Sequence, residues 1–186
     1  MGASGSLWAC ITLFQKFRNS WIRCAKSWRC SVIKNASSVL FQRTILDHAR
    51  KPRGFGELEA PTLLGSGVNE LCGDEVRISA EIRGEVVAQL RCVSVGCLLC
   101  RASASMMCEW VPARTLSECY IGEKRLRALV AGLTETCAPL PTQFLAFKDL
   151  RALPQREKCA LLPWSTLIKA LEDYNIISRL PRPARQ

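Results

Sequence analysis

Between Glu75 and Val111 the chain changes its period once, and this change limits the fold more than any other feature. In "EVRISAEIRGEVVAQLRCVSV", Val76, Ile78 and Ala80 alternate with Arg77, Ser79 and Glu81. Arg83-Gly84 can turn, and Val87 to Val95 returns as a second strand, which reads as an antiparallel hairpin. After Gly96, "CLLCRASASMMCEWV" loses the alternation and takes the composition of a helix.

The flanking segments extend this order. "SVLFQRTILDHARKP" has helical aliphatic spacing and ends near Pro52, whereas "RGFGELEAPTLLGSG" reads as a Gly/Pro-punctuated loop or edge stretch. "GEKRLRALVAGL" (122–133) predicts a helix, "TETCAPLPTQ" a linker and "FLAFKDLRALPQRE" a short helical turn. "KCALLPWSTLIKALEDY" predicts the last helix, with Pro163 tolerable only near its first turn. A helix, a short sheet and then several helices predict an α+β domain with a small antiparallel sheet packed against helices. The expected organisation is a basic extension over 1–40, a folded domain over 41–174 and a flexible tail over 175–186.

Charge is unevenly distributed. The net charge is +10, yet residues 1–46 hold seven Lys/Arg and no Asp or Glu, and the remaining 140 residues balance to only +3. Basicity therefore belongs to the extension, and a nucleic-acid partner for the domain is not expected. In the extension, Phe14, Phe17, Trp21, Cys24 and Trp28 fall within about one helical stripe, as in an organelle transit peptide or a membrane-surface helix. An untidy N-terminus without function explains it equally well. The early apolar run "LWACITLF" is too short to span a bilayer, so no membrane span is expected.

Eleven cysteines, an odd number, without a recognisable signal peptide favour a reducing compartment and thiol or metal chemistry over a disulfide scaffold. The single histidine excludes metal sites built on several histidines. Cys92 reads as a core residue of the second strand, and Cys108, Cys119 and Cys137 as packing residues. Three other cysteines fall at element ends. Cys72 opens a turn in "CGD", where Gly73 lets a thiolate and the Asp74 carboxylate face one point. Cys97 follows Gly96 at a strand-to-helix junction, where free N–H groups and the helix dipole favour thiolate. Cys159 sits near the start of the last helix beside Lys158 and one turn from Arg156, cations that again favour thiolate. Three thiolates and a carboxylate suit zinc, or iron on the way to a cluster.

The set "RTILDHARKPRGFG", "CGDEVRI", "GCLLCRASASMM" and "REKCALLPW" resembles the iron–sulfur cluster assembly family of IscU, the NifU N-terminal domain and, most closely, SufU. The resemblance runs from about Phe41 to Tyr174 with the motifs in family order. The long stretch between Cys97 and Cys159 and Lys158, where IscU has histidine, are similar to the SufU branch. The resemblance implies Cys72, Asp74, Cys97 and Cys159 as metal ligands, Cys72 as sulfur acceptor, and Arg156 as a supporting basic residue. It also implies a cysteine desulfurase as partner, apo iron–sulfur proteins as recipients and, at most, zinc-dependent sulfurtransferase activity. IscU-like relatives instead build a cluster from iron and delivered sulfur. Cys100 departs from the SufU pattern, which has serine there, and raises the alternative of four cysteines (72, 97, 100, 159) with Asp74 outside the ligand set.

Two other readings remain at this level. One is a structural zinc adaptor without sulfur transfer. The other is a dithiol oxidoreductase on Cys97 and Cys100, which lacks a thioredoxin-like βαβ context. The SufU-like core implies a bacterial cytoplasm, and the extension, taken alone, mitochondrial or plastid import.

Overall fold

The computed structural model describes residues 41–133, 140–152 and 154–179. The expectations for the extension, Cys137 and the end of the tail lie outside the described residues. A first helix, α1, covers residues 41–50. Then follow β1 (Leu63–Asn69), β2 (Asp74–Arg83), β3 (Val86–Val95), α2 (Leu98–Trp110), β4 (Arg114–Thr115) and α3 (Leu116–Val130). A 3-10 segment (Thr142–Ala152) leads into α4 (Pro154–Arg179).

The strands form one antiparallel sheet in the order β1-β2-β3-β4. The predicted hairpin is β2–β3, with Arg83 opposite Val86 and Gly84 at φ +63°. Its turn is thus Gly84-Glu85, one residue later than expected, because the left-handed position requires the glycine. Phe55 bridges Cys92 in parallel, and β4 pairs with Val86 and Val87, so two short pieces cover part of the outer edge of β3.

Val76, Ile78, Ala80, Ile82, Val87, Leu90 and Cys92 supply the sheet's buried side chains. α2 and α4 pack on it and on each other. β1 lies in the stretch expected as a loop or edge, and its glycines have a packing reason. A Cβ at Gly65 would meet Ala170 at 2.8 Å, and one at Gly67 would collide with Thr166, so α4 lies almost against the β1 backbone. At the far end, Trp164 packs at 5.6 Å from Trp110 and 5.5 Å from Phe144 between ring centroids. This aromatic group joins α2, the 3-10 segment and α4.

Three boundaries differ from expectation. α3 begins at Leu116 rather than Gly122, because Thr115 and Glu118 form a reciprocal capping box. α4 begins at Pro154, so Pro163 lies in the helix interior and not in its first turn. α4 also continues to Arg179, past the boundary expected at Tyr174. Among the described residues no helix is long and apolar enough to cross a membrane.

Candidate metal centre

The site forms where the β1–β2 turn, the start of α2 and the start of α4 meet. In the turn, Gly73 takes φ +64°, a conformation that places Cys72 and Asp74 on the same side of the chain. Asp74 is the first residue of β2 and pairs in register with Asn69, the last of β1. At the other strand end Gly96 takes φ +146°, and a Cβ there would run into the Asp74 carboxylate. Glycine at 96 is what lets the β3–α2 junction close over Asp74.

Ligand-type atoms of Cys72, Asp74 and Cys159 lie within 4.8 Å of one another. Cys97 joins them through Asp74. Its backbone N–H donates to Asp74 Oδ1 at 2.7 Å, and its Sγ lies 3.6 Å from Oδ2. Residues separated by 62 positions in sequence, Cys97 and Cys159, therefore belong to one group of three sulfurs and a carboxylate. Asp74 and Cys159 are fully buried, whereas Cys72 and Cys97 are half-buried. The accessible thiols are thus those at the turn and at the helix start.

Cys159 is held from two sides. Asn69 Nδ2 donates to its Sγ at 3.4 Å, and Sγ reaches Gln155 O at 3.6 Å. Ser103 Oγ donates to the adjacent Ala160 carbonyl at 2.5 Å and fixes α2 to α4 beside the site. Burial raises the Cys159 pKa, and hydrogen bonding with Asp74, Cys72 and Cys97 raises it further. The expectation that Lys158 and Arg156 keep this thiol ionised is therefore corrected. Both side chains are exposed, where water screens their charge.

Cys100 stands apart. It lies one helical turn beyond Cys97, is 0% exposed and belongs to the hydrophobic core. Burial, followed by the negative charges of Asp74 and Cys97, raises its pKa. The Cys72–Asp74–Cys159 group contains neither Cys97 nor Cys100, but Cys97 is hydrogen-bonded to Asp74 whereas Cys100 packs into the core. Cys92, Cys108 and Cys119 are buried as expected of packing residues. The pKa of Cys92 is raised by hydrogen bonding to Cys108 and then by burial, and burial pushes Cys119 up to about 12. Cys92 and Cys119 are therefore poor nucleophiles toward dissolved reagents.

The donor set fits a divalent metal. Among the described residues no Lys, Arg or His pairs with the buried Asp74 carboxylate. A buried carboxylate without a compensating cation costs several kcal/mol, on the order of that for an unpaired buried ion. A soft, thiol-rich set that includes one oxygen suits zinc or iron.

The residues not predicted from sequence are Asn69 and Ser103, and the close approach of Gly96 to Asp74 is likewise not visible there. Asn69 becomes visible only once β1 and β2 are paired, because the register sets it opposite Asp74.

A family model for the NifU-like N terminal domain matches residues 40–179. The chain is 28% identical over 137 residues to the iron–sulfur cluster assembly scaffold protein IscU of Thermotoga maritima, covering 74% of this chain and 96% of that protein. It is 26% identical over 133 residues to the zinc-dependent sulfurtransferase SufU of Bacillus subtilis, covering 72% and 90%. A crystal structure of FiSufU, a scaffold candidate for the SUF system of Fervidobacterium islandicum AW-1, aligns with a TM-score of 0.65. That alignment has 29% identity and covers 69% of this chain and 93% of that one. With fold and matched length in agreement, the chain belongs to the NifU-like N-terminal domain family, the iron–sulfur cluster assembly scaffolds that include IscU and SufU.

Proposed function

We propose that this protein accepts persulfide sulfur from a cysteine desulfurase on Cys72, with Cys72, Asp74, Cys97 and Cys159 as the ligands of a zinc or iron site. The observation that carries this reading is the grouping of Cys72, Asp74 and Cys159 within 4.8 Å, with Cys97 hydrogen-bonded to the same carboxylate. The transfer is a thiol exchange. The Cys72 thiolate attacks the outer sulfur of the partner's Cys–S–SH, forming Cys72–S–SH and releasing the partner's thiolate. A bound metal supplies positive charge that keeps thiols ionised at neutral pH.

Each ligand has a separate part. Asp74, an oxygen donor among sulfurs, is the weaker and more exchangeable ligand for zinc. Cys159, buried and held by Asn69, anchors the set. Cys72, half-buried on a glycine-containing turn, is the thiol that a partner's loop can reach. Arg156 is exposed near Cys97 and is suited to an anionic partner group. Iron and sulfide assembled on the same ligands would be cargo passed on to apo iron–sulfur proteins.

The test is purification without oxygen, measurement of zinc and iron, and assay of a cysteine desulfurase with and without the protein. The expected result is about one metal per chain, as four-ligand sites hold one ion, and stimulation that Cys72→Ala abolishes. Stimulation that survives Cys72→Ala removes the acceptor role. A tightly held zinc with no effect on any desulfurase identifies a structural adaptor instead.

A further inference from the structure

Cys97 and Cys100 face the site in different ways. Cys97 is the N-cap of α2, with φ −69° and ψ 162°, and its side chain makes no capping bond. It is half-buried and lines a cavity of about 540 Å³ with Ile45, Leu46, Leu98, Leu99 and Arg156. Arg156 is the one charged side chain in that lining. Cys100 sits at the third helical position, 0% exposed, among the core residues beneath the site. The N-cap and third-residue side chains lie over the same turn, the arrangement used when an N-cap side chain reaches back to the third residue. One cysteine thus lines a cavity wide enough for a small molecule, and a second lies one turn behind it.

We propose that Cys97 and Cys100 form an oxidation site for an anionic low-molecular-weight disulfide such as oxidised glutathione, and that the Cys97–Cys100 disulfide removes Cys97 from the metal ligand set. In the first step the Cys97 thiolate attacks one sulfur of the oxidant. A mixed disulfide forms and one glutathione thiolate leaves. In the second step the Cys100 thiol attacks Cys97 Sγ, and its proton goes to the second departing glutathione thiolate. Two protein thiols are oxidised and one disulfide is reduced to two thiols, so atoms and electrons balance. The cavity admits the first step, with Arg156 attracting the carboxylates of the oxidant. The burial of Cys100 confines it to the second.

This inference differs from the proposed sulfur transfer, because it needs neither Cys72 nor a desulfurase. Only its metal-release part rests on the proposed ligand set. The full chain, as purified without oxygen, is exposed to oxidised glutathione or to cystamine, a cationic disulfide. Disulfides are mapped by mass spectrometry of non-reduced peptides, and released zinc is followed with a colorimetric chelator.

The expected result is a Cys97–Cys100 disulfide with parallel zinc release, formed faster with oxidised glutathione than with cystamine. Arg156→Glu should reverse that preference. Cys100→Ser and Cys100→Ala should accumulate glutathione on Cys97 and lose the intrachain bond. A Cys72–Cys159 disulfide as the main product, or equal rates with both oxidants, overturns the proposal. A protein that carries no metal yet forms Cys97–Cys100 contradicts the proposed metal site and leaves the dithiol assignment standing. A metal-loaded protein that forms Cys72–Cys159 does the reverse.

Discussion

The backbone N–H of Cys97 donates to Asp74 Oδ1 at 2.7 Å, so the start of α2 and the start of β2 share one carboxylate. Oδ1 is engaged by the backbone, and Oδ2 is turned toward Cys97 Sγ at 3.6 Å. One oxygen organises the junction, and the other belongs with the sulfurs.

Asp74→Asn separates these roles. An asparagine oxygen can still accept the Cys97 N–H, so fold and junction should persist, while the negative charge facing the sulfurs is lost. Zinc retention against a competing chelator should fall by about tenfold or more, the range seen when groups around a metal lose their charge or hydrogen bond. The midpoint of urea unfolding, measured without metal, should fall little or rise, because a buried unpaired charge is removed.

Gly96→Ala tests the same junction from the backbone. At φ +146° a side chain is strained, and the new Cβ would enter the space of the Asp74 carboxylate. Asp74 or the start of α2 must move, and metal content after purification should drop sharply. Gly84→Ala, also at positive φ but with no atom within 4 Å of its Cβ, should lower stability without changing metal content. Metal content of the two variants, measured side by side, separates local strain from damage to the site.

The hairpin and α2 are legible in the sequence because a half-buried strand and a helix impose periods of 2 and 3.6 on their apolar residues. β1 is legible only as a loop or edge stretch, the second of which it is, since the reason for Gly65 and Gly67 appears once α4 is laid against them. Its glycines answer a tertiary contact that no local pattern records. The start of α3 was within reach of the sequence, because Thr115 and Glu118 have capping-box spacing. Of the site, the turn and junction chemistry of Cys72, Asp74 and Cys97 is visible locally. Their convergence on Cys159 is not, and follows from the resemblance and then from the fold. Lys158 is exposed while the adjacent Cys159 is buried, because neighbours in sequence on a helix point in different directions.

His48 makes stability sensitive to acid. It is buried, and its Nδ1 lies 2.9 Å from Ser105 Oγ, which itself accepts the Arg53 N–H at 2.8 Å. Ser105 Oγ thus ties the Arg53 backbone N–H to the His48 ring in a buried setting. Burial, and then the charge of Arg53, lower the His48 pKa below 6.5, only partly opposed by Glu109 and Asp47. With a depressed folded pKa, the unfolded chain takes up the proton first. This contribution is complete above the unfolded value and is lost as pH falls below 6.5 toward the folded value. Urea midpoints of the native chain should drop between about pH 7.5 and about pH 5.5, and His48→Gln should reduce that drop. An equal drop in both proteins would remove His48 as its source.

Pro163 stands four residues after Cys159 in the interior of α4. Having no N–H, it cannot donate to the carbonyl four residues back, which is that of Cys159 itself. The helix thus lacks one backbone bond at the residue that carries the buried sulfur, and the adjacent Ala160 carbonyl accepts a bond from Ser103 Oγ. Pro163→Ala restores the missing donor and removes the ring's clash with the preceding turn, changes that together favour the helix by up to about 3 kcal/mol. The urea midpoint should rise. Closing a backbone bond onto the Cys159 carbonyl should also shift Cys159 Sγ relative to Asn69 and Cys72, so zinc retention against a chelator should fall. If both stability and metal retention rise, the missing bond has no part in placing Cys159.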